Sequence, residues 1–431
     1  MRQAVSWLFY ERCIALLSSL LISIAVARHL GPDDYGLLGF VLSFAAILTP
    51  LAALGLNELV TKELVTCRGK QGEILGTVFT IRKVAGLGLS VLFAIYCFWG
   101  PFPTSDTRWQ AILVLVASLA GDATVFRSYF AAEGKLPLLA RFGIARTIVI
   151  AALRLALVLF GFGLDAFIWA ACADLLFAGA LSWLAFRLSS SNPPTLRVVP
   201  SLAPRLLRKS WPLALSQVAA VLNLKIDIVL LTILAGANAA GTYTLAANLS
   251  EGWLALPAIM LAASFPLILQ AKKESPDAYD SLLKQSMDAL AAIATVIAIG
   301  VTLIAPLIVP LIFGSEYADT AAILAVHVWG ALFLFMRALA SKWLIAEDYY
   351  VFSLVSHATG AAINVVLNFA LIPLFGGIGA ALATVISYAA AGWLAFGLNR
   401  RTRPIFLIMA SSLLWPLRFR SVYTSIMKGM R

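Results

Sequence analysis

The residues with the most chemical potential in this sequence are charges placed inside long apolar runs: Asp122, Arg154, Asp174, Lys225, Asp227, Glu251 and Arg337. A charged side chain at the centre of a bilayer costs about 3 kcal/mol unless it is paired or hydrated. We therefore expect these side chains to face an internal cavity. Arg12 and Arg28, near the two ends of the first apolar run, belong to the same group of candidates.

Lys225 is the leading candidate for contact with a substrate. At a helical rise of about 1.5 Å per residue it falls close to the middle of the bilayer. It could bind an anionic group of a substrate, or form a buried ion pair with Asp227 or Glu251. Residues two apart on a helix do not face each other, so Glu251 is the favoured partner. The two interpretations are compatible.

Arg154 could line the same cavity or extend towards the headgroups, because it is predicted in the outer half of its span. Asp122 and Asp174 could be sites for a coupling proton or cation, or structural partners of Arg154. Asn364 and Asn368 are four residues apart and therefore share one helix face. They could bind polar substrate groups, but we favour a role in joining helices.

Composition places these residues in a membrane. Of the 431 residues, 61% are hydrophobic and only 12% are charged, with a mean hydropathy of +0.92. Soluble domains carry about 25% charged residues. The net charge of +11 comes from cations between apolar runs, which favours contact with anionic headgroups rather than nucleic acid. The cysteine and histidine spacings suit neither a metal site nor a disulfide framework, so we expect no metal and no cofactor.

Crossing the hydrocarbon core takes about 20 apolar residues in a helix. Twelve such runs are predicted, at residues 13–30, 37–57, 76–99, 109–130, 138–160, 165–186, 211–234, 242–265, 287–313, 319–345, 351–374 and 378–398. The connections between successive spans alternate in charge: one set contains many lysines and arginines, and the opposite set contains almost none. The positive-inside rule then places the basic connections and both termini in the cytoplasm.

The domain organisation follows from the longest break between spans. It predicts an N-terminal six-helix lobe at 1–188, a cytoplasmic linker at 189–209, a C-terminal six-helix lobe at 210–399, and a basic cytoplasmic or interfacial tail at 400–431. Two short turns support a duplication. Gly31 and Gly36 have the same spacing as Gly236 and Gly241, at an offset of 205 residues. Further pairs of similar segments occur in the same order in both halves of the chain, so we predict a repeated unit.

No glycine-rich loop followed by Lys and Ser or Thr is present, and no nucleophile elbow or zinc spacing occurs. We therefore expect a protein that is not an enzyme. A multi-pass transporter remains, with a purely structural membrane subunit as an alternative.

The motifs resemble those of Wzx-type polysaccharide flippases, which belong to a superfamily with multidrug (MATE) antiporters and MurJ-type lipid II flippases. The stretch Ala27–Gly36 resembles the first-hairpin signature, and Asp227–Ala247 the matching signature of the second half. Phe313–Tyr317 and Asn364–Pro373, followed by Gly379–Thr384, continue the resemblance over nearly the whole chain.

This resemblance implies an all-α polytopic membrane protein with two six-helix lobes around a central cavity, in the bacterial inner membrane. It implies transport of undecaprenyl pyrophosphate carrying a short glycan, for O-antigen or exopolysaccharide synthesis, with delivery to a polymerase or ligase. We expect a monomer. The family's cationic cavity fits Lys225 and Arg154, with Arg28 and Arg12 nearby. A cation-coupled drug antiporter is the alternative, although the first helix has only Glu11 and Arg12 where such antiporters often carry a cavity acid. A polytopic glycan polymerase or ligase is the second alternative, and it would need a catalytic loop on the outer side.

Overall fold

The computed structural model describes residues 2–189, 193–347 and 349–415. The helices in these ranges are α1 Arg2–Ala53, α2 Leu56–Thr66, α3 Gln71–Trp99, α4 Ser105–Gly121, α5 Thr124–Ala132, α6 Leu136–Leu159, α7 Leu164–Leu188, α8 Leu202–Ala235, α9 Ala237–Glu251, α10 Ala255–Glu274, α11 Pro276–Phe313, α12 Ala318–His327, α13 Gly330–Ala346, α14 Tyr350–Ala389, α15 Ala395–Leu398 and α16 Arg403–Leu413. Short 3₁₀ turns occupy Arg68–Lys70, Gly252–Leu254 and Ser315–Tyr317, and a π-helical segment occupies Ala390–Leu394.

The membrane-spanning character is clear from these helices. Within the described ranges, eight helices are long and apolar enough to cross a bilayer, or nine if the bent pair α12 and α13 forms one span. Two of the eight have a non-helical glycine inside, Gly31 in α1 and Gly376 in α14, so each contains two predicted spans. The predicted all-α polytopic architecture is confirmed.

The surface agrees with a lipid environment. On α11 the side chains of Leu303, Leu307 and Leu311 recur every four residues, and each is more than 70% exposed. A soluble protein rarely exposes such an apolar stripe. The stripe is suited to contact with acyl chains.

The chain divides into two compact units, Met1–Gly241 and Thr242–Arg431. This division differs from the predicted boundary in the 189–209 linker, because α8 packs along α1 and α2 and so belongs to the first unit. The predicted lobes at 1–188 and 210–399 are the two copies of the repeated unit rather than the two packed units. The repeat stays a prediction.

Each unit has its own hydrophobic core. In the first, α2, α3, α5 and α7 contribute Leu64, Leu75, Phe126 and Phe186. In the second, the core includes α11, α13 and the tail helix α16, whose Ile405 and Met409 are fully buried. The helical part of the predicted interfacial tail is therefore packed into the second unit. Residues 416–431 lie outside the described residues.

The two echoing turns have the same backbone conformation. Gly31 has φ 72° and ψ 171°, and Gly236 has φ 92° and ψ 173°. A residue with a side chain is strained at these angles, which explains glycine at both positions. The duplication remains a prediction, and the two turns at least agree in backbone conformation.

The two turns also pack against each other inside the first unit, and we call residues 31–36 and 236–241 the turn pair. A Cβ on Gly36 would overlap the carbonyl oxygen of Ala237 and lie 2.7 Å from the Gly241 nitrogen. A Cβ on Gly241 would overlap the carbonyl oxygen of Pro32. Pro32 and Ala237 hold equivalent positions in the two turns, so the contact is reciprocal. At the side of the pair, Asn238 Nδ2 donates to Asp33 Oδ2 at 3.2 Å.

Candidate functional site

A cavity of about 330 Å³, lined by both apolar and charged side chains, lies in the first unit between α1, α4, α5, α6 and α7. Its volume falls at the lower end of the range for small-ligand sites. Two acidic and two basic side chains line it: Glu11, Asp122, Arg127 and Arg146. We call it the unit 1 cavity.

Asp122 lies at the break between α4 and α5, where it is held by several donors. Its Oδ2 is 2.6 Å from Arg82 Nη2, and both side chains are less than 10% exposed. Its Oδ1 accepts from the backbone nitrogen and the hydroxyl of Thr124, at 3.1 Å and 2.8 Å. Arg82 Nη1 also donates to Asn57 Oδ1 at 2.8 Å. Asp122 is thus neutralised by a buried cation and connects α3 to the start of α5.

Lys83 stabilises the same break from the other side. Its Nζ donates to the carbonyl oxygens of Leu119, Ala120 and Asp122, at 2.9 Å, 2.6 Å and 2.9 Å. The last carbonyls of a helix have no partner within the helix, and a lysine near the C-terminus can satisfy them. The end of α4 is therefore fixed inside the apolar region by a neighbouring span.

Asp174 on α7 joins two arginines of α6. Its Oδ1 is 2.7 Å from Arg146 Nε, and its Oδ2 is 3.4 Å from Arg154 Nη2. The two arginines are eight residues apart, close to two helical turns, so both reach one carboxylate. The group carries more positive than negative charge, and the Arg154 side chain remains 33% exposed.

Glu11 was not predicted as a site residue, yet it lines the unit 1 cavity. Arg127, Arg12 and Arg146 are its electrostatic neighbours. Its Oε1 packs directly over Gly143, where a Cβ would lie 2.5 Å away. The sequence offered one signal, an acid at the end of the first span, but its partners come from α5 and α6.

The other predicted cations are on different elements. Lys225 is half-buried on α8, and the neighbouring Asp227 is fully buried; both interact with other groups. Arg28 is exposed on α1, just before the break at Gly31, and Arg12 is exposed at the other end of that span. Arg12 is an electrostatic neighbour of Glu11 but does not line the unit 1 cavity.

Asn364 and Asn368 form a buried polar cluster in the second unit. Asn368 Nδ2 donates to the backbone and side-chain oxygens of Asn364, at 2.9 Å and 3.0 Å. Asn364 Nδ2 donates to Ser387 Oγ at 3.3 Å, and the Tyr243 hydroxyl is 3.0 Å from Thr384 Oγ1. These contacts join α9 and the two halves of α14, in line with the favoured role in joining helices. Glu251, at the end of α9, is half-buried and also interacts with other groups.

Arg337 on α13 is a buried cation held by neutral groups. Its Nη1 donates to Ser356 Oγ at 2.8 Å and to the carbonyl oxygen of Ala391 at 2.9 Å. The guanidinium also lies over the Phe396 ring, 5.1 Å from its centroid. Within the described residues, no carboxylate lies at ion-pair distance from Arg337. Ala391 belongs to the π-helical segment, whose carbonyls lack regular α-helical partners.

A protein-family model described as "Polysaccharide biosynthesis protein" matches residues 25–322 of the chain. No curated protein sequence shows significant similarity to it.

Solved structures share the fold. An inward closed conformation of the lipid II flippase MurJ superposes with a TM-score of 0.69 at 14% identity, covering 100% of this chain and 96% of that one. An inward-facing multidrug resistance MATE family transporter gives 0.65 at 15% identity, covering 95% and 96%. The eukaryotic MATE transporter AtDTX14 gives 0.63 at 16% identity, covering 95% and 98%. The chain therefore shares the all-α, two-lobe membrane fold of these structures, which confirms the fold predicted from the sequence.

Proposed function

Since the chain belongs to the polysaccharide biosynthesis protein family, we propose that it is a flippase for lipid-linked oligosaccharides. It would carry an undecaprenyl-pyrophosphate-linked repeat unit across the bacterial inner membrane by alternating access. The family match over most of the chain is the observation that carries the proposal. Polysaccharide synthesis contains one step without bond chemistry, the movement of the lipid-linked unit between leaflets, and a polytopic transporter fold suits that step.

The proposed contacts to the pyrophosphate are cationic. Lys225, Arg154, Arg28 and Arg12 would hold the phosphates or acidic sugars, while the isoprenoid chain stays in lipid. Arg154 supports this, because its contact with Asp174 is long, at 3.4 Å, and its side chain is 33% exposed, so the guanidinium can turn to a phosphate. Planar guanidinium groups bind phosphate through two parallel hydrogen bonds, which favours arginine at such contacts.

The acids have two proposed roles. Asp122 is structural, because Arg82 and Thr124 already occupy its oxygens. Asp174, Asp227 and Glu251 remain the candidates for ion coupling or charge pairing. Asn364 and Asn368 would hold the second unit together rather than touch the glycan.

The central test is substitution of Lys225. Vesicles containing the purified protein and a fluorescent lipid-linked glycan would report movement as a change in the fraction protected from an external glycosidase. A Lys225→Ala variant should insert normally and lose transport at least tenfold, whereas Lys225→Arg should keep a substantial part. Wild-type transport by Lys225→Ala would remove this residue from the mechanism. No transport of the glycan by the wild-type protein would refute the flippase proposal.

A cation-coupled drug antiporter is the second candidate, favoured by the nearly equal similarity to MATE transporter structures. Such a protein needs a net acidic binding site for organic cations. Efflux of a fluorescent organic cation from the same vesicles, driven by a proton or sodium gradient, would support the antiporter and contradict the flippase.

The remaining parts of the proposal concern context. Both termini would be cytoplasmic, the protein would act as a monomer, and its product would pass to a polysaccharide polymerase or ligase on the outer side. O-antigen and exopolysaccharide synthesis are the proposed pathways.

A further inference from the structure

We propose that a second cavity in the first unit binds the phosphate headgroup of an anionic phospholipid. This cavity has a volume of about 410 Å³ and lies where the end of α2 and the starts of α3 and α8 meet. We call it the basic-end pocket. It is separate from the unit 1 cavity, and the proposal concerns the membrane's lipids rather than the transported substrate.

The charges of the pocket favour an anion. Lys70 and Arg205 line it together with one acid, Glu63. Glu63 Oε1 is shared between Arg205 Nη2 at 3.5 Å and Lys209 Nζ at 3.4 Å. Lys70 has no ion pair within the described ranges. Two cations and one carboxylate therefore line the pocket, and Lys209 adds a third cation beside Glu63, so the site keeps an excess of positive charge.

The two contacts to Glu63 are loose. Both distances are longer than a well-formed charged hydrogen bond, which is about 2.8 Å. The Arg205 and Lys209 side chains are 58% and 50% exposed. Both can therefore turn to a phosphate without leaving a buried charge behind.

The wall of the pocket is apolar, which distinguishes a lipid from a soluble anion. Ile74 and Leu206 line it, and both belong to the hydrophobic core of the first unit. A free phosphate would gain nothing from these side chains. A phospholipid can place its headgroup between the cations and its glycerol and upper acyl chain along the apolar wall, as an amphiphilic ligand requires.

The pocket is also held in shape by the segment that leads into α8. The Arg197 backbone nitrogen donates to the Gly72 carbonyl at 3.0 Å, and the Val199 nitrogen donates to Thr77 Oγ1 at 2.9 Å. These bonds fix the start of α8 beside the start of α3. A site formed before binding loses less entropy on binding.

Its location on the membrane matches the ligand. The pocket lies among the connections that the positive-inside rule predicts to be cytoplasmic, and the cytoplasmic leaflet carries anionic phospholipids.

The test uses the full-length protein purified in a neutral detergent. Lipid retention by native mass spectrometry and the unfolding temperature would be measured with phosphatidylglycerol, with phosphatidylcholine and with soluble glycerol 3-phosphate. We expect phosphatidylglycerol alone to be retained and to raise the unfolding temperature. Lys70→Gln or Arg205→Gln should weaken binding about fivefold and the double variant about thirtyfold.

Arg208→Gln is the matched control, because Arg208 has the same charge on the same helix, is exposed, and does not line the pocket. Equal losses for Arg205→Gln and Arg208→Gln would overturn the proposal, since they would show attraction to the surface as a whole. An equal effect of glycerol 3-phosphate would also overturn it, in favour of a soluble anion. Lys70 and Arg205 are exposed, so both substitutions leave the hydrophobic core intact.

Discussion

The turn pair offers the sharpest prediction. Replacing Gly36 by alanine would put a Cβ into the carbonyl oxygen of Ala237 and 2.7 Å from the nitrogen of Gly241. Heavy atoms in contact prefer about 3.5 Å, and the overlap with the carbonyl oxygen is the larger of the two, so the two turns would have to move apart by more than about 1 Å. Adding a methyl group to a packed contact costs about 1–3 kcal/mol. That cost would raise the equilibrium constant for separation of the two turns about 5- to 150-fold.

The assay is the labelling rate of a cysteine placed at Ala240, a fully buried position in the turn pair. In a background without the four native cysteines, a maleimide reacts with Ala240→Cys only while the turns are apart. Gly36→Ala should raise this rate about 5- to 150-fold. The matched control is Gly300→Ala on α11, where a Cβ meets nothing within 4 Å.

An unchanged labelling rate in Gly36→Ala would refute the reasoning, because the added methyl group would then fit within the closed contact. A disulfide between Asp33→Cys and Asn238→Cys gives an independent measurement on the same contact. If the turns separate during transport, oxidation of this pair should stop transport and reduction should restore it.

Three further predictions concern buried charges. Arg82→Met should destabilise the protein by about 3–5 kcal/mol, because it leaves the carboxylate of Asp122 buried without its cation. The unfolding temperature in detergent measures this loss. Arg208→Met is the control and should leave the unfolding temperature unchanged. Adding Asp122→Asn to Arg82→Met should recover at least half of the loss, and no recovery would show that the two side chains do not act as a pair. Arg337→Met should lower the free energy of unfolding by about 1–3 kcal/mol, because the carbonyl of Ala391 loses its donor. An unfolding temperature equal to that of the wild type would show that water or another group replaces the guanidinium.

The fold could be predicted from sequence because its causes are local. Apolar length determines which segments cross the bilayer, and the glycines of the two turns mark where the helices reverse. The breaks inside α1 and α14, at Gly31 and Gly376, agree with the predicted pairs of spans at 13–30 and 37–57 and at 351–374 and 378–398. The division into packed units was different, because it depends on how tightly α8 contacts α1, and hydropathy does not encode that contact.

The candidate sites were predictable only in part. The positions of Asp122 and Asp174 could be recognised from their apolar surroundings, and Arg154 could be named as a partner of Asp174, but their closer partners Arg82 and Arg146 could not. Arg82 is forty residues from Asp122 and Arg146 is twenty-eight from Asp174, and only the packing of helices brings each pair together. Within the described residues, Arg154 forms an ion pair with Asp174 and not with Asp122. Glu11 was overlooked as a site residue because it lies near the end of a span, where an acid needs no explanation.

The reciprocal contact of the turns bears on the origin of the chain. Residue 36 meets residue 237, and residue 241 meets residue 32, so each turn uses the same atoms on the other. This is the arrangement found in homodimers with a two-fold axis, where one patch binds its own copy. An ancestral protein of half this length would have closed the contact by pairing with a second molecule, and gene fusion would have made that association permanent.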